Sequence, residues 1–263
     1  MRAPLPLTAL VLSLAAGGAF AAKLPVYDDF TDAEFNSGKW IQAESVRELE
    51  NGALSLARWS FGGSASDTGQ TTELLSLSAT DTAPAKTLKV TVKATDLDRL
   101  EGCVANATPS STRARLMGAF FSARAGGPVA GDETGDVLAS LQLRRLSNST
   151  DPAGVVRILA MVMSCNVADC ATSNILRTVD LGTAVLGQKV TFQIDWDRVN
   201  QGFVFTVDAG LPTSVSYAGV WTRSGTPAVP FNQLAVKNDV ANCTAGRVKA
   251  GMGASFDNFA IAH

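Results

Sequence analysis

The chain has 263 residues, 46% of them hydrophobic, with 22 basic against 24 acidic side chains and a single histidine. A mildly acidic chain without basic clusters along its sequence is a poor partner for nucleic acid or an anionic membrane. The one histidine, His263, is the last residue, a poor place for the buried, oriented imidazole of Ser-His or Cys-His catalysis, and a single histidine excludes zinc sites built on several.

Arg2, the apolar run Leu5–Leu14 and the small-x-small triplet Ala19-Phe20-Ala21 have the form of a cleaved signal peptide over residues 1–21. The run is too short to span a bilayer as a helix, and no second run of spanning length follows. Residues 22–263 are therefore expected to be one exported domain, secreted or periplasmic. The four cysteines, Cys103, Cys165, Cys170 and Cys243, are even in number, which in that compartment favours disulfides over metal thiolates. Three pairings exist. Local geometry favours Cys165–Cys170, which flank Asn166–Asp169 at an expected hairpin tip, and this would leave Cys103 for Cys243.

The strands follow in order. Val46–Asn51 and Ala53–Ala57 meet at Asn51-Gly52, a strong hairpin signal. Trp59 and Phe61 are an aromatic pair at period two, and Gly62–Gly69 is a small and polar loop. Thr71–Ser78 and Thr87–Ala94 are further strands, the latter alternating Leu88, Val90 and Val92 with Lys89, Thr91 and Lys93. Leu116–Ala123 precedes a Gly- and acid-rich loop over Arg124–Asp136. Val137–Arg145 alternates again, Val155–Ser164 is apolar enough for burial on both faces, and Ile175–Asp180 follows. Val190–Trp196 and Phe203–Val207 form a hairpin whose turn offers Asn200 and Gly202 for positive φ. Val215–Trp221, Leu234–Lys237 and Ala254–Ala262 complete the set. About a dozen short strands without a helix after the leader predict an all-β antiparallel sandwich or jelly roll. An up-and-down barrel or propeller is the alternative.

Three stretches resemble the concanavalin A-like lectin/glucanase superfamily, including its laminin-G-like jelly-roll members. They are Asp28-Asp29-Phe30 with Trp40 and Glu50–Leu54, the hairpin Phe192–Val207, and the closing Phe256-Asp257-Asn258-Phe259. The resemblance implies two stacked antiparallel sheets with a concave face that carries sugar sites in many relatives. It also implies a structural calcium held at Asp28, Gly52 and Asp257, a chemically sound set because calcium accepts carboxylate and carbonyl oxygens. The superfamily includes lectins, glycosidases, polysaccharide lyases and adhesive domains, so fold does not decide function.

Glucanases of this fold carry Glu-x-Asp-x-Glu or Glu-x-Asp-x-x-Glu on one strand. The nearest stretch here is Asp96, Asp98 and Glu101, which departs at its first carboxylate. Asp132, Glu133 and Asp136 form a second acidic group in a loop. Sugar stacking calls for aromatic faces. Trp59, Phe61, Tyr217 and Trp221 are the candidates, each pair sharing a strand face by even spacing, although a sandwich core uses the same residues. Trp40 and Trp196 read as core. The expectation is a secreted, non-catalytic glycan-binding or surface-interaction domain, with an oligo- or polysaccharide as partner. A glycan-degrading hydrolase or lyase is the alternative.

Overall fold

The computed structural model describes residues 44–97 and 99–263. The expected leader, Asp28, Trp40 and Asp98 lie outside the described residues. Thirteen strands, numbered in chain order, and no helix occur among the described residues. The first sheet runs β1 (Glu44–Glu50), β2 (Ala53–Phe61), β13 (Lys249–Ala262), β4 (Thr87–Asp96), β9 (Val190–Asp197), β10 (Gly202–Val207) and β11 (Thr213–Ser216). The second runs β3 (Gln70–Ser78), β12 (Asn232–Ala241), β5 (Ser111–Ser122), β6 (Asp136–Leu146), β7 (Val155–Cys165) and β8 (Ser173–Val185). Neighbours such as β2–β13, β13–β4 and β12–β5 are remote in sequence, which an up-and-down barrel or propeller would not give. The architecture is the two-sheet antiparallel jelly-roll sandwich that the concanavalin A-like resemblance implies.

Alternation builds the core. Leu88, Val90, Val92 and Ala94 of β4 and Val190, Phe192, Ile194 and Trp196 of β9 all point inward and are almost fully buried. They meet Leu116 and Phe120 of β5 and Leu141 and Leu143 of β6. One end is aromatic: Phe121 stacks on Trp196 at 5.4 Å, and Phe120 meets Phe203 edge-on at 4.9 Å. The Trp196 indole N–H donates to the Tyr217 hydroxyl at 3.0 Å, satisfying both polar tips inside the core. At the polar end Asn238, fully buried, donates to Arg58 O and Ser60 Oγ of the first sheet and accepts from Thr112. This tie crosses between the sheets.

The turns obey the local chemistry with one change. Asn51 and Gly52 both take positive φ, 51° and 78°, as a two-residue hairpin turn needs. In the β9–β10 turn, however, the positive φ falls on Gln201 (51°) rather than on Asn200 or Gly202. Asp197 sets that register by accepting from Asn200 N and Nδ2 at 2.9 and 2.7 Å. Both disulfides follow the favoured pairing, Cys103–Cys243 and Cys165–Cys170, the second at the tip of the β7–β8 hairpin.

Candidate functional site

The aromatic pairs expected to stack on sugar are not two platforms. Strand β11 ends at Ser216, and the Tyr217 carbonyl accepts from Val220 N and Trp221 N in a turn, so Tyr217 and Trp221 share no strand face. Tyr217 is 2% exposed and its ring lies against Phe121 and Phe203. It is a core residue. Trp221 is half-buried against the same core. Trp59 and Phe61 do share a face of β2, yet Phe61 is buried with Arg247 and Lys249 over its ring at 5.0 and 5.8 Å. Trp59 lies flat across the neighbouring strand at Gly251, where a Cβ would fall 2.1 Å from its ring.

The acidic sets are also dispersed or engaged. Asp96 is the final residue of β4, Leu97 turns into the core, and Arg99 has φ 56°. Glu101, beyond the strand, accepts from Lys249 N at 2.9 Å. Among the described residues of this set, Asp96 and Glu101 do not lie on one strand. In the second set, Asp136 is fully buried and accepts from Ala228 N and Val229 N at 2.8 and 3.0 Å. Burial raises its pKa against the pull of those bonds. Glu133 is likewise raised, chiefly by burial and then by Asp136 and Asp169. Asp132 is held down to about 2 by hydrogen bonds from Thr134 and Arg124. These carboxylates fasten a loop. The groupings of Asp67 with Cys103 and Cys243, and of Glu133 with Cys165 and Cys170, are not thiolate metal sites because the sulfurs are bonded to each other.

Two of the three expected calcium positions, Gly52 and Asp257, lie near one corner of the first sheet. The register pairing Phe256 with Leu54 brings Asp257 beside the Asn51-Gly52 turn. A cleft of about 250 Å³ there is lined by Glu50, Asn51 and Asp257, and by Lys93 and Lys189. Two carboxylates thus face two ammonium groups. The third expected position, a backbone oxygen at Asp28, lies outside the described residues.

The distinctive chemistry lies elsewhere, on the outer face of the six-stranded sheet. Lys237 of β12 is opposite Arg113 of β5, Arg113 is opposite Arg144 of β6, and Arg144 is opposite Arg157 of β7. Four cations therefore form one row across four strands, with Arg115 beside it on β5. Like charges directly opposite in a sheet destabilise it. Asp239 accepts from Arg113, from Thr72 at 2.7 Å and lies 3.5 Å from Lys237. At the exposed end Arg157 pairs with Asp151 and Asp180. Arg144 makes no hydrogen bond or ion pair with the described residues, and its Nε is buried, as are those of Arg113 and Arg115.

Electrostatics reflect this imbalance. Burial, reinforced by the Arg113 charge, pushes Arg115 down to about 10 and lowers Arg144 and Lys237. Burial also lowers Arg113, against the attraction of Asp239. For Asp239 burial opposes ionisation, but Arg113 and Lys237 outweigh it and hold the carboxyl below its ordinary value. Opposite Arg115 sits Gln142, 2% exposed, with an Oε1 that has no partner. Beside Arg144 and Arg157 a second cleft of about 250 Å³ opens, lined also by Asn148, Ser149, Asp151 and Leu159.

No known protein family matches the chain, and no curated protein matches it by sequence. Among solved structures it is similar to a Bacteroides ovatus mixed linkage glucan GH16 in complex with product, at 9% identity and TM-score 0.45, over 83% of this chain and 84% of that one. It is also similar to the catalytic domain of an endo-1,3-beta-glucanase (laminarinase) from Thermotoga petrophila, at 14% identity and TM-score 0.41, over 81% and 77%. A third is the carbohydrate recognition domain of Emp46p in metal-free form, at 11% identity and TM-score 0.35, over 82% and 87%. Likeness of this extent concerns the outline of the fold and carries no chemistry.

Proposed function

We propose that the chain is an exported, non-catalytic glycan-binding domain whose working surface is the outer face of the six-stranded sheet. One observation carries the reading: at the end of the cation row a cleft of about 250 Å³ opens on this face, lined by Arg144, Arg157, Asn148 and Ser149. Cations, an amide and a hydroxyl in one cleft suit a ligand dense in hydroxyl and other oxygen groups. Export is supported by the two disulfides. No helix among the described residues is long and apolar enough to cross a membrane. The non-catalytic part is supported by the engagement of Glu101, Asp132 and Asp136 as acceptors of backbone hydrogen bonds.

A glycan array probed with the purified full chain tests this, with and without a chelator. Retention of a defined set of oligosaccharides is expected; a folded protein that retains none overturns the reading. Release of reducing ends or unsaturated sugars from a bound polysaccharide would replace it with the hydrolase or lyase alternative. Calcium at Asp257 and the Asn51-Gly52 turn is a separate part of the proposal, supported by the register that joins those positions. Chelation is expected to lower Tm, and an unchanged Tm removes calcium while leaving the glycan reading standing.

A further inference from the structure

The charge of the six-stranded face specifies what kind of glycan it suits. We propose that this face binds an acidic glycan, a polysaccharide whose carboxylate or sulfate groups fall in turn beside Arg144, Arg113 and Lys237 and which enters at the cleft between Arg144 and Arg157. The inference rests on the glycan-binding reading and names its ligand class.

Geometry supports it first. The three cations occupy adjacent strands at a single register position, so their backbones stand about 4.8 Å apart. That spacing is close to the length of one sugar residue in an extended chain, so anionic groups on successive residues can each meet a cation. Arg144 then matters most. It is opposite cations on both sides, Arg113 and Arg157, and has no acceptor among the described residues. A guanidinium presents a planar fork that matches carboxylate and sulfate oxygens in pairs. The row is also out of balance: among the described residues, Lys237, Arg113, Arg115 and Arg144 are met by the one carboxylate of Asp239. An anionic ligand supplies what the fold leaves out, whereas a neutral glucan would cover these charges without compensating them.

The neighbouring positions favour sugar over other polyanions. In the next rows Arg115 is opposite Gln142, and Met117 is opposite Ser140 and Gln233. Amides and a hydroxyl suit sugar hydroxyls, while these positions offer no ring on which a nucleic-acid base could stack.

Isothermal titration of the full chain tests the proposal with three hexasaccharides, one of a uronic acid, one sulfated and one a neutral β-glucan. Inorganic sulfate and a single-stranded oligonucleotide are the further arms. One acidic hexamer is expected to bind at least tenfold more tightly than the neutral one and to weaken as salt rises. Which acid binds distinguishes carboxylate from sulfate. Arg144→Gln should reduce that affinity at least tenfold with an unchanged or higher Tm, and Arg144→Lys should restore part of it. Tighter binding of the neutral hexamer, unaffected by Arg144→Gln, overturns the acidic inference and keeps the glycan reading. Binding of no hexamer removes both. Inorganic sulfate or the oligonucleotide binding as tightly as the acidic hexamer overturns the inference in favour of a free anion or a nucleic acid.

Discussion

The two sheets turn differently organised faces outward. On the seven-stranded sheet the polar groups answer one another: Thr87 donates to Asp195 at 2.6 Å, Gln193 donates to the same carboxylate at 2.8 Å, and Glu50 and Asp257 share a cleft with Lys93 and Lys189. On the six-stranded sheet Arg113, Arg144 and Lys237 share the charge of Asp239, and Arg144 makes no hydrogen bond or ion pair with the described residues. Both faces come from the same alternation of inward apolar and outward polar positions. What separates them is whether the charges are compensated within the fold. A face whose charges are balanced internally is a finished surface. One that is not has a destabilising feature that a ligand can relieve.

The contrast can be broken by substitution. The largest effect is expected at Asp239→Asn, which leaves Arg113 and Lys237 without their carboxylate. Loss of one partner from a largely buried pair costs about 3–5 kcal/mol, read by urea denaturation. A change under about 1 kcal/mol would mean that the face is solvated like any surface.

Acid should then erase that difference. The carboxyl of Asp239 titrates below its ordinary value in the fold, so its contribution is fully present above the unfolded value and is lost as pH falls through the lower folded one. Glu133 and Asp136, raised by burial, act with the opposite sign and stabilise the fold as they protonate. The gap between the native protein and Asp239→Asn should therefore be wide at about pH 6 and should narrow as pH falls through the lowered folded value of Asp239, measured by denaturation at each pH.

On the balanced face, Thr87→Val removes a donor to Asp195 and should cost about 1 kcal/mol while leaving glycan binding unchanged. Any loss of binding would place the ligand on the wrong sheet. The smallest effect on stability is expected at Arg144→Gln, a gain of about 0.5 kcal/mol as two opposing cations lose a neighbour. A loss of similar size or more would show that Arg144 holds the fold together.

Much of the sandwich was legible because its signals are local. Leu88, Val90 and Val92 announce the inward face of β4, and Asn51-Gly52 announces the first hairpin. Cys165 and Cys170 read as a hairpin tip because five positions separate them. The site was not legible for the converse reason. Arg113, Arg144 and Lys237 lie on strands far apart in sequence, and the chain shows no basic cluster. Alternation could have placed each on an outward side, but only the register of β12, β5 and β6 sets them opposite one another. Tyr217 misled through spacing: its even distance from Trp221 suggests a shared strand face, whereas the chain turns directly after Ser216. Trp59 lies flat across β13 because Gly251 is paired with it, a contact that neither residue's neighbours reveal.

The Cys103–Cys243 bond closes a ring of chain that runs from just before β5 to just after β12 and contains the whole loop over residues 124–135. A protease meeting that loop would open the ring without releasing either piece, since both fragments stay joined through the sulfurs. The cation row is drawn from β5 on one side of such a cut and from β6 and β12 on the other. A nicked molecule would keep all three strands tethered, and with them the cation row.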